Sequence, residues 1–67
     1  MNDQQLRDTL QAAISAHRAK DFREADRLYT SILNSNPNHP DANHNLGVLA
    51  KEIGKPDLAL QLFQTAL

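Results

Sequence analysis

The chain has 67 residues, a formal net charge of −1, three histidines and no cysteine, so it can build one small domain whose stability must come from close helix packing or a partner, not from disulfides. Mixed, nearly balanced charge gives no sign of a nucleic-acid or anionic membrane surface. The polar start MNDQQ is no signal peptide, no apolar run approaches the roughly 20 residues that span a bilayer, and the absence of cysteine fits a cytoplasmic setting.

The first predicted helix runs from about Asp3, a candidate N-cap, to Ala19, with Leu6, Leu10, Ala13, Ile14 and His17 on one face. Asp21 opens a second helix, and Glu24 three residues on matches a capping box. Its apolar stripe is Phe22, Ala25, Leu28, Tyr29, Ile32 and Leu33, while Arg23, Asp26, Arg27 and Thr30 face water. The segment NSNPNHP ends that helix, because Asn and Pro favour turns and Pro cannot continue a helix. A third helix begins at Pro40 and continues to about Ile53, stopping at Gly54. A fourth begins at Pro56 with Leu58, Ala59, Leu62, Phe63 and Ala66 as its stripe. No strand pattern is present. Short turns make neighbouring helices antiparallel.

Shifted by 34 residues, the sequence lies on itself: Ala16 on Ala50, Ala25 on Ala59, Leu28 on Leu62, Leu33 on Leu67, with Tyr29 on Phe63, Ile14 on Val48 and Ala13 on Gly47. Small matches small and aromatic matches aromatic. A two-helix repeat of this length resembles the tetratricopeptide repeat. Its leucine-glycine pair, alanine and aromatic fall on Leu46, Gly47, Ala59 and Phe63 in the second copy. In the first they fall on Ala12, Ala13, Ala25 and Tyr29, closed by Pro37. Ala16 and Ala50 stand where the family has an aromatic, and Thr9 and Asn43 where it has tryptophan.

The fold expected is all-α, two antiparallel helix-turn-helix repeats forming an α-solenoid fragment: repeat one at about 6–39, repeat two at about 40–67 and truncated. Ala13, Ala16, Ala25, Tyr29, Pro37, Leu46, Gly47, Ala50, Ala59, Phe63 and Ala66 form the repeat core, the small residues allowing helices to approach and the aromatics filling the space beside them. The chain stops inside an apolar pattern with no capping helix, which reads as the N-terminal fragment of a larger protein.

The resemblance implies that the first helix of each pair lines a concave groove. Its residues here are Arg7, Leu10, Gln11, Ile14, His17 and Arg18, and 34 later Asp41, His44, Asn45, Val48, Lys51 and Glu52. An apolar floor of Leu10, Ile14 and Val48 with polar walls suits an extended peptide or a partner helix. A carboxamide at Asn45 can donate to and accept from a peptide backbone together. NHPDANHNLGVLA is similar to repeats of the O-linked N-acetylglucosamine transferase type, which implies peptide contact for Asn45, with Gln11 in the matching place. The carboxylate clamp of some repeat domains is matched only at Asn45, since Leu10 and Ile14 stand where its lysine and asparagine would be.

The function expected is therefore non-catalytic protein or peptide binding, with no cofactor, metal, nucleic-acid or membrane partner. His39 and His44 do not converge on a metal, and no nucleophile triad or Gly-rich phosphate loop can be assembled. One alternative is self-association through an apolar face of the last helix, Leu58, Leu60, Leu62 and Leu67. Another is substrate presentation within a larger glycosyltransferase or methyltransferase.

Overall fold

The structure, a computed structural model, describes residues 1–66. Four helices follow one another: α1 Asp3–Arg18, α2 Phe22–Ser35, α3 Pro40–Glu52 and α4 Pro56–Ala66. Consecutive helices pack on each other, α1 with α2, α2 with α3 and α3 with α4, while α1 and α3 barely touch. The result is a slab of 31 × 26 × 14 Å. It is all-α, two helical hairpins side by side.

Each helix end has a physical cause. The N-cap of α1 is Asn2 rather than Asp3: its Oδ1 accepts from the Gln5 N–H at 2.8 Å, and Gln5 Oε1 accepts from the Asn2 N–H at 3.0 Å. That reciprocal pair satisfies two backbone donors at once, which Asp3 could not do, and Asp3 becomes the acidic residue of the first turn. Asp21 does cap α2, accepting from the Glu24 N–H at 3.3 Å. The expected capping box is not completed, because the Glu24 carboxylate turns to the Arg27 guanidinium at 2.6 and 2.8 Å. At α3, the His39 ring accepts from the Ala42 N–H through Nδ1 at 3.1 Å, with Pro40 in the first turn.

Both intra-repeat turns end their first helix in the same left-handed wrap. In repeat one, Asp21 N–H donates to Ala16 O at 2.9 Å and Lys20 N–H to His17 O at 3.0 Å. In repeat two, Lys55 N–H donates to Ala50 O at 2.8 Å and Gly54 N–H to Lys51 O at 3.2 Å. This is the Schellman arrangement, which ties down the last carbonyls of a helix. The residue that must take positive φ is Gly54 (φ 83°) in one copy and Lys20 (φ 65°) in the other.

The core joins both hairpins. Ala13, Ala25, Tyr29, Leu46 and Leu49 cluster together, with Leu10, Ala16, Phe22, Leu28, Leu33 and Leu62 packed against them. Ile32, Ala42, Ala50 and Ala59 are also buried. Pro37 is exposed; it contributes a carbonyl to the turn and no side chain to the core. Asn43, 3 % exposed, is the one buried polar residue among those described. Its Nδ2 donates to Pro37 O and His39 O, both at 3.0 Å, clamping the turn between the hairpins from inside.

Gly47 sits where α3 meets α4. A Cβ there would fall 2.6 Å from Phe63 Cε1 and 2.8 Å from Cδ1, so the phenyl ring occupies the space that the missing side chain leaves.

Leu58, Leu60 and Leu62, three of the residues expected to form one self-association face, do not share a face. Leu62 packs inward on the core. Leu58 and Leu60 are 41 % and 58 % exposed but border different recesses, Leu58 beside Phe22 and Ile53, Leu60 beside Lys51 and Phe63. Two residues along a helix turn the side chain by roughly 200°, so these cannot point the same way. Leu67 lies outside the described residues. No described helix is long and apolar enough to cross a membrane.

Candidate functional site

The α1–α2 hairpin and the neighbouring α3 enclose a hollow of about 450 Å³ lined by Ile14, His17, Arg18, Lys20, Tyr29, Asn45 and Glu52. Ile14, His17 and Arg18 recur on one face of α1 because they lie three and four residues apart. Asn45 and Glu52 lie two turns apart on α3 and face them. Tyr29 of α2, 1 % exposed, forms the back wall. Burial holds the Tyr29 phenol above its ordinary pKa.

One polar contact ties the two sides of the hollow together. His17 Nε2 and Glu52 Oε2 are 3.0 Å apart. A carboxylate only accepts, so the imidazole donates through Nε2. The His17 ring is fixed on its other sides by edge-on packing against Phe22 and Tyr29, at centroid distances of 5.8 and 6.4 Å. Asn45 is half-buried and makes no side-chain hydrogen bond among the described residues, in contrast to the doubly engaged Asn43.

Of the twelve groove residues expected from sequence, five border this hollow: Ile14, His17, Arg18, Asn45 and Glu52. The others are placed elsewhere. Arg7 donates to Gln4 at 3.1 Å on the exposed side of α1. Leu10 is drawn into the core, so it is not available as the floor. His44 packs against Phe63 with the rings tilted and their centroids 5.5 Å apart, Lys51 borders the recess beside Phe63, Gln11 and Asp41 are exposed, and Val48 is half-buried. Sequence reasoning missed Lys20 and Tyr29 as lining residues. Tyr29 reads from sequence as a core residue only, and Lys20 falls in a turn; its signal is alignment with Gly54 under the 34-residue shift. Among the described residues, no three His, Asp or Glu side chains gather where a metal could be held.

Comparison with known proteins adds one finding. The family model described as tetratricopeptide repeat matches residues 28–61, half of the chain. No curated protein and no solved structure gives a match, so the narrower likeness to glycosyltransferase repeats has no relative behind it. Tetratricopeptide repeats are in general non-catalytic modules of protein–protein interaction. The matched segment runs from the middle of α2, through all of α3, into α4, and with two hairpins in 34-residue register the chain belongs to the tetratricopeptide repeat family.

Proposed function

We propose that this chain is a non-catalytic binding module that holds an extended peptide segment in the hollow between α1 and α3. The observation that carries the reading is Asn45: a half-buried carboxamide without an internal partner, in a hollow walled by an aromatic ring and an aliphatic side chain. Such a group pairs with a peptide N–H and C=O whatever the peptide's side chains, while Ile14 supplies apolar contact.

The test is selection of dodecapeptides from a random displayed library on the immobilised chain. Asn45→Ala should weaken the selected peptides about fivefold, the worth of one or two hydrogen bonds, with an unchanged circular dichroism spectrum. Unchanged affinity in a folded variant removes Asn45 from the mechanism.

A further inference from the structure

We propose that the hollow reads an acidic side chain in the bound peptide, through Arg18 and Lys20 at its lip. The inference rests on the peptide-binding reading above and names the peptide's chemistry.

Four ionisable side chains besides the tyrosine line the hollow: His17, Arg18, Lys20 and Glu52. Glu52 is engaged by His17. The only other ion pair among the described residues is Glu24 with Arg27, outside the hollow. Asp21, next to Lys20 in the chain, accepts from the Glu24 N–H and is occupied in capping α2. Arg18 and Lys20 make no ion pair among the described residues, and they stand on one side of a recess whose one lining carboxylate, Glu52 of α3, is hydrogen-bonded to His17. A carboxylate is the complement to that arrangement.

The backbone supplies an independent reason to single out Lys20. It occupies the left-handed position of the Schellman turn at φ 65°, where its counterpart 34 residues on is Gly54. A side chain in that conformation is strained, and glycine would relieve the strain. Residues held in such sparsely populated backbone regions cluster at functional sites. The Lys20 ammonium lies 6.0 Å from the centroid of the Phe22 ring, which holds the cation near the lip. Three of the last four carbonyls of α1, those of Ser15, Ala16 and His17, accept from the turn and are not turned on a bound anion.

The geometry also sets an order along the peptide. The lip is formed by the end of α1, with Ile14 one turn deeper. An acidic residue at Arg18 and Lys20 thus places a neighbouring apolar residue against Ile14, with the backbone passing Asn45.

The experiment extends the library selection, with displayed peptides amidated at the C-terminus on resynthesis so that only side-chain carboxylates remain. Selected peptides should be enriched in Asp or Glu next to an apolar residue. Replacing the acid by its amide should weaken binding, more so at low salt. Arg18→Gln and Lys20→Gly should each weaken an acidic peptide about threefold, and together about tenfold. Lys20→Gly should at the same time raise the thermal midpoint, so loss of binding cannot be loss of fold. Glu52→Gln, which can still accept from His17, should strengthen binding. Enriched peptides without acidic bias, or acidic peptides indifferent to Arg18→Gln and Lys20→Gly, overturn this inference and leave the groove reading standing. No enriched peptide at all overturns both.

Discussion

Repeat one and repeat two carry the same plan, yet only the first is closed. Tyr29 and its counterpart Phe63 occupy the same place in their hairpins, but Tyr29 is 1 % exposed and Phe63 only half-buried. The reason is the neighbour. α3 lies across the first hairpin and covers Ala25 and Tyr29, whereas the matching face of the second, bordered by Lys51, Pro56, Ala59, Leu60 and Phe63, has no further described helix over it. The crossing inside each pair differs as well. Ala13 is buried near Tyr29, so the first crossing admits a methyl group; Gly47 lies against Phe63, so the second does not. Equivalent positions in a repeat thus have unequal energetic weight, decided by what packs on the far side.

The largest expected effect tests this inequality directly. A chain of this size has a stability of roughly 3–10 kcal/mol. Tyr29→Ala should cost about 3–5 kcal/mol and leave a large unfolded fraction, while Phe63→Ala should cost about half as much. Equal shifts in urea midpoint for the two would break the comparison. Next comes Asn43→Ala, which removes both side-chain bonds of a buried amide and leaves the Pro37 carbonyl without its internal partner, while His39 O keeps the Asn43 N–H; it should cost about 1–2 kcal/mol. No site in repeat one should match it, since Thr9 at the equivalent position makes no such clamp; the check is urea unfolding of Asn43→Ala beside Thr9→Ala.

Gly47→Ala should be smaller and opposed. Better helix propensity contributes about 1 kcal/mol, while overpacking on the Phe63 ring costs about 1–3 kcal/mol. We expect net destabilisation of about 1 kcal/mol, abolished when Phe63→Leu is added; a raised thermal midpoint for Gly47→Ala alone would show that the ring swings clear. The smallest effect is in alkali. Burial raises the Tyr29 pKa in the folded state, so folding favours the protonated phenol. That contribution is fully present below the unfolded value of about 10 and is lost as pH rises through the folded value. Tyr29→Phe should flatten this limb of the stability profile in repeat one, and repeat two has no tyrosine to add to it.

Much of the fold was legible because it follows from spacing and from turn chemistry. Helical periodicity, the two Pro-led starts and the 34-residue self-match locate all four helices to within one or two residues. Asn2 and Asp3 are both good caps by residue type, and only the folded turn shows that Gln5 answers Asn2. The groove was half legible: helical spacing gives a face, but not how deeply that face is drawn into the core. Leu10 and Ile14 look alike in sequence, yet Leu10 packs against the core cluster while Ile14 lines the hollow. Asn43 looked like a blemish in the repeat pattern. That it grips two carbonyls became visible only once the turn was folded around it.

That grip has a mechanical consequence. The segment joining the hairpins cannot swivel without tearing two internal bonds made by a single amide. The end of that segment is therefore fixed to α3 by polar chemistry while the apolar core shared by the two hairpins holds their angle, and a recess whose walls come from both sides inherits its width from the two together. A guest chain would meet a pre-set gap rather than jaws that must close, which spares it the entropic toll of shaping its own seat.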